Sequence, residues 1–86
     1  MKRIIKFWAG AHLADAQTMS TDDRIEHAVH YRKRSEYYRL LALRNFKRRH
    51  KYSKFRDEIR WQCMTAQASK VFADIYTDSL PAVVTN

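Results

Sequence analysis

The sequence predicts an all-α protein: a long antiparallel helical hairpin with a shorter N-terminal helix packed across it, a three-helix arrangement that self-associates. Three observations carry this reading. Gly10 and Pro81 are the only glycine and proline, so residues 11 to 80 contain neither of the main helix breakers. Apolar residues in the two longer segments recur at spacings of three and four, the helical period. A chain of 86 residues is a single domain, and at that size it buries only about 60% of its unfolded surface, so apolar faces left over call for a second copy.

Taken in order, residues 2 to about 15 place Ile4, Ile5, Trp8 and, less regularly, Leu13 on one side, as an amphipathic helix would; KRIIKFWA alone could equally be a short strand. Gln17 to Asp23 reads as a connection ending in a helix start. Ser20 or Thr21 can accept from the free N–H groups there, and Asp22 and Asp23 suit the positive end of the helix. The second helix spans about 22–49, with Ile25, Ala28 and Val29 on one face and Tyr38, Leu41 and Ala42 on another, a drift that predicts more than one neighbour. Tyr52 and Ser53 mark the next boundary, with Ser53 as N-cap and Asp57 and Glu58 in the first turns, although Lys54 and Arg56 oppose the dipole. The third helix, about 54–76, carries Phe55, Ile59, Cys63 and Ala66, then Val71, Phe72, Ile75 and Tyr76. Residues 1–80 form the domain and 81–86 a tail. Each long helix is about 40 Å at 1.5 Å per residue, and the first, half as long, cannot cover the whole groove between them.

The net charge of +8 is unevenly placed. Residues 1 to 23 are neutral, residues 24 to 56 hold twelve basic and two acidic groups, and residues 57 to 86 hold two basic and four acidic. A basic middle between neutral and acidic ends is a patch, which steers RNA, DNA, an anionic membrane or an acidic protein surface. Apolar content of 45% is too high for a disordered basic tail, so this chain folds. One cysteine, Cys63, rules out an intrachain disulfide and points to the cytosol. Lys6 and His12 interrupt what would otherwise pass for a signal peptide at Met1 to Leu13, and no stretch approaches the ~18 apolar residues of a membrane span.

The stretch from Tyr31 to Arg56 concentrates the candidate chemistry. Arg44, Lys47, Arg48, Arg49, Lys51, Lys54 and Arg56 lie across the predicted turn, and Arg32, Lys33, Arg34 and Arg39 extend the positive surface along the second helix. Solvated helix faces normally mix both signs, and this one does not. Interleaved tyrosines, among them Tyr37, Tyr38 and Tyr52, offer flat faces for unpaired bases, which favours structured RNA or single strands over regular duplex. Tyr31 belongs to the same stretch. For any one of these rings, packing in the core is the competing role. No recognition helix, zinc finger or RNA-recognition signature is present, so sequence specificity is expected to be low.

Nothing in the chain spells out a reaction. His27 and His30 lie three apart with Glu26 nearby, yet no further ligands stand at metal-binding spacing, so neither a metal nor another cofactor is expected. His12, His50 and Cys63 are organised by no Ser/His/Asp set or carboxylate pair, and Cys63 reads as a small hydrophobe on the apolar face of the third helix. A nuclease using His27, His30 or His50 is the weakest reading.

YYRLLALRNF, from Tyr37 to Phe46, resembles the motif of the small three-helix LYR mitochondrial proteins. It differs in having Tyr37 where that motif has leucine and in lying in the second helix instead of near the N-terminus, so nothing is carried over. In size, charge and lack of catalytic sets the chain resembles the small accessory proteins phages make to bind host RNA or block host enzymes. The expected function is a non-catalytic nucleic-acid-binding factor acting by occupancy on RNA or a ribonucleoprotein, as a homodimer. The competing expectation is an inhibitor or antitoxin-like protein that neutralises a nucleic-acid-processing enzyme such as a ribonuclease, directly through an acidic surface or bridged by RNA.

Overall fold

The structure, a computed structural model, describes residues 2–48 and 54–81 and the side chains of residues 5–48 and 56–81. These form three helices: α1 (Lys2–Thr18), α2 (Thr21–Arg48) and α3 (Lys54–Asp78), with no strand among the described residues. Asn45 meets Gln62, Ser35 meets Ala66 and Tyr31 stacks with Tyr76, so the partner's number rises as the residue number falls. That is the antiparallel hairpin the sequence predicts. α1 packs less extensively, mainly against α3. It runs to Thr18, past the expected end, and the connection shrinks to Met19 and Ser20. Ser20 is the cap: its Oγ accepts from the backbone N–H of Asp23 at 3.2 Å, and Asp22 and Asp23 occupy the first turn. The predicted cap at Ser53 lies outside the described residues, as do the site residues Arg49, Lys51 and Tyr52 and the side chain of Lys54.

The faces that meet in the hairpin are small and polar. On α2 the inward positions are Arg24, Ala28, Tyr31, Ser35, Tyr38, Ala42 and Asn45; on α3 they are Ile59, Gln62, Ala66, Ser69, Ala73 and Tyr76, continued by Leu80 just past its end, each row alternating steps of three and four. This is the seam of a coiled coil, with Ala and Ser where leucines usually stand. Polar bonds fix its register: Ser35 Oγ donates to the Ala66 carbonyl at 2.7 Å, and the buried Asn45 amide donates to Gln62 Oε1 at 3.1 Å. Leaving either unmatched in that seam costs the desolvation of a buried polar group, about 1–3 kcal/mol.

A seam of small residues leaves larger ones outside, which corrects several sequence-based faces. Ile25 and Val29, expected inward, are 45% and 44% exposed, and Trp8 and Leu13 of α1 are also exposed. Cys63 does share a face with Ile59 and Ala66, but that face is an open groove and the cysteine is exposed. The inward line of α1 keeps Ile5 and runs on through Ala9 and His12, all half-buried, to the buried Ala16, again at steps of four and three. Choosing faces by the largest apolar side chains fails where helices approach through alanine.

The core sits where α1 crosses the hairpin. Ala16, Ala28 and Tyr76 are buried together, with Met19 and Tyr31 packed against them. The His12 ring lies 4.2 Å from the Phe72 ring and 5.1 Å from the Tyr31 ring, and its Nδ1 joins the Tyr76 hydroxyl in a 2.7 Å hydrogen bond. Burial pushes the His12 pKa down, opposed by Asp15 and reinforced by His27, and burial pushes the Tyr76 hydroxyl up. Both groups are therefore neutral near pH 7. Arg24 closes this end: its Nε–H donates to the Met19 carbonyl at 3.1 Å and its Nη1–H to the Ser79 carbonyl at 2.8 Å, tying the α1–α2 link to the end of α3.

Candidate nucleic-acid interface

All the candidate cations whose side chains are described, Arg32, Lys33, Arg34, Arg39, Arg44, Lys47, Arg48 and Arg56, are exposed. The helices distribute them in three groups. Lys47 and Arg48 stand in the last turn of α2 with Arg44 one turn back, and Arg56 lies in the first turn of α3, so all four lie toward the same end of the antiparallel hairpin. Arg34 lines the cleft between α1 and the hairpin. Arg32 and Arg39 line the opposite groove, where Arg32 Nη2–H donates to Thr77 Oγ1 at 3.2 Å and Glu36 and Asp74 stand among the neighbours. The cations thus lie on more than one side of α2, and Lys33 is exposed as well.

The tyrosines divide between the two roles open to them. Tyr31 belongs to the core, flat against Tyr76 with ring centroids 6.0 Å apart. Tyr37 is 61% exposed and meets Tyr38 edge-on at 5.2 Å. Tyr38 is half-buried, with the Arg34 guanidinium 5.1 Å from its ring centroid and Trp61 edge-on at 5.3 Å. A cation over an aromatic ring is held in place by the ring's quadrupole, so Arg34, Tyr38 and Trp61 make one cationic, flat-walled unit.

No protein family, curated protein or solved structure matches the chain. Its chemistry must come from its own residues.

The cleft beside that unit measures about 480 Å³, with Trp8, His12, Tyr31, Met64 and Phe72 among its walls and Asp15, His30, Arg34 and Thr65 as polar groups. The sequence reading missed Trp8 in this cleft, and Arg60 and Trp61 outside it. Arg60 and Trp61 are exposed and carry the cation–aromatic alternation one turn past Arg56, a signal present in the sequence. Arg24, counted with the basic stretch, turns out to be a half-buried clamp. His27 Nδ1–H donates to the Asp23 carbonyl at 2.8 Å, and its ring lies 5.0 Å from Tyr76. His30 packs edge-on to Tyr31 at 5.0 Å. Among the described residues no group of His, Cys, Asp and Glu is arranged to hold a metal ion, and no helix is long and apolar enough to cross a membrane.

Proposed function

We propose that the protein binds RNA, single-stranded or locally unpaired, with little sequence preference, and acts as an accessory or regulatory factor by occupying it. One observation carries the reading: four exposed cations, Arg44, Lys47, Arg48 and Arg56, lie toward the same end of the hairpin, whose helices also carry the half-buried Tyr38 and the exposed Trp61 and Tyr37. Phosphates supply most of the binding energy at such a surface, and exposed rings take up unpaired bases that a duplex keeps stacked. Tip cations hold the backbone while Arg34, Tyr38 and Trp61 receive a base.

Fluorescence anisotropy with a labelled single strand and a duplex of the same sequence tests this. The single strand should bind more tightly than the duplex, and Trp61→Leu or Tyr37→Leu should weaken the single strand more than the duplex. Failure of the wild-type protein to bind RNA or DNA of any form at low salt refutes the reading.

A further inference from the structure

On the side of the hairpin away from α1, Ala42, Leu43 and Phe46 of α2 and Ile59, Cys63 and Ala66 of α3 line a groove of about 240 Å³, and among the described residues Arg39 is its one charged lining residue. Its origin is the small seam: Ala42 and Ala66 bring the helices together, and the larger side chains beside them are left at the surface. Leu43 and Phe46 are each 49% exposed, and Leu40 is 52% exposed. Ile59 to Ala66 spans about 10 Å along the helix, the length of two turns of a third helix laid into the groove.

The rim has one dominant sign. Lys47 stands four residues after Leu43, Arg56 three before Ile59 and Arg60 three before Cys63, so helical spacing sets all three beside the groove, and all are exposed. Arg39 completes the set of four cations, against which Asp57 stands three residues before Arg60 and Glu36 three before Arg39, while Asp74 lines the neighbouring groove.

We propose that this groove docks one amphipathic α-helix of an acidic partner protein, with apolar residues at helical spacing against Leu43 and Ile59 and carboxylates against Arg39, Lys47, Arg56 and Arg60. Charge decides among the possible occupants. A second copy of a chain carrying +8 would set the same cationic rim against itself. RNA would satisfy the rim but would leave Leu43, Ile59 and the Cys63 thiol against sugar and phosphate, and among the described lining residues only Arg39 offers a strong donor to a base edge. An acidic amphipathic helix meets both demands, the apolar floor and the basic rim. The inference does not depend on the nucleic-acid reading, because its anchors are apolar.

The probe is a fluorescein-labelled peptide with leucines at positions i, i+3, i+4 and i+7 and glutamates elsewhere, beside a scrambled peptide of equal composition. The wild-type protein should bind the patterned peptide at least about tenfold more tightly than the scrambled one, and Leu43→Gln, an exposed position in a helix, should remove most of that difference with circular dichroism unchanged. A second reading uses the unaltered protein: Cys63, the single cysteine, should react more slowly with a maleimide when the patterned peptide is bound. Equal affinity for both peptides, or an unchanged Cys63 rate under saturating peptide, overturns the proposal. A dimer in sedimentation that Leu43→Gln converts to monomer also overturns it, by giving the groove to a second copy.

Discussion

At the end of the hairpin where α1 crosses it, Tyr76 is 1% exposed, Ala16 is fully buried, and His12, Tyr31 and Phe72 close around them. Toward the tip the same two helices continue on the same spacing, yet Leu40, Leu43, Phe46 and Trp61 are between 49% and 52% exposed, among exposed arginines and lysines. Seam residues are small over most of the length, so the seam alone does not explain the contrast. What differs is cover. α1 and the link that follows it reach one end and one side of the hairpin, where Ala16, His12 and Met19 pack against it. Stability is thus concentrated at one end and the surface available for partners at the other, a division proteins commonly make between rigid and binding regions.

The sharpest way to break that comparison is to shorten one large side chain at each end. Tyr76→Ala should cost about 3–5 kcal/mol in urea unfolding, the scale for emptying a packed aromatic site, whereas Leu43→Ala at the tip should stay within about 0.5 kcal/mol. Similar losses at both positions would show that the tip is as tightly packed as the core.

Arg24→Gln comes next. Loss of the bonds to the Met19 and Ser79 carbonyls should cost about 1–2 kcal/mol in the same experiment while leaving RNA binding as it was. A drop in binding at unchanged stability would move Arg24 from the fold to the interface.

Protonation probes the closed end from another direction. The folded pKa of His12 lies below its ordinary value of 6.5 because burial, helped by His27 and opposed by Asp15, disfavours the charged ring. The unfolded chain therefore binds the proton more readily, so the stability tied to neutral His12 is complete above pH 6.5 and is lost as the pH falls from there through the folded pKa. Melting temperature should decline over that acidic window, and His12→Phe should flatten the decline. An identical pH profile in the variant would contradict the assignment.

The smallest effect is expected from Gly10→Ala. Gly10 lies within α1 with nothing within 4 Å of an added Cβ, and no described residue has a positive φ. Alanine should stabilise the helix by about 0.5–1 kcal/mol, read as a modest rise in melting temperature, with RNA affinity unchanged. A loss of stability would mean that the glycine serves a contact the structure does not show.

How much of this could be read from the sequence differs between the two ends. The three helices, the hairpin and a cap at Ser20 or Thr21 follow from the missing glycine and proline, the helical spacing and the Asp22–Asp23 pair, all local signals, and the structure takes Ser20 as the cap. Cations are nearly always solvated, so the exposure of Arg44, Lys47 and Arg48 was equally readable. The inward faces were not. Ala28, Ser35, Ala42, Ala66, Ser69 and Ala73 mark the seam by steps of three and four in small residues, while Ile25, Val29, Trp8 and Leu13 drew attention through their size. His12 and Arg24 carried no sequence sign of burial, because their partners, Tyr76 and Ser79, are 64 and 55 residues away.

The central claim, that the tip binds nucleic acid while the other end holds the fold, is tested most directly by the salt dependence of RNA affinity in a tip variant. Lys47→Gln with Arg48→Gln should lower the slope of log affinity against log salt by about 1.4 on a single strand, roughly 0.7 for each lost phosphate contact, with melting unchanged because glutamine forms helix about as well as lysine or arginine. Lys6→Gln, which removes an exposed cation from α1, should leave the slope where it was. An unchanged slope in the tip variant, or an equal fall caused by Lys6→Gln, would contradict the division of labour between the two ends.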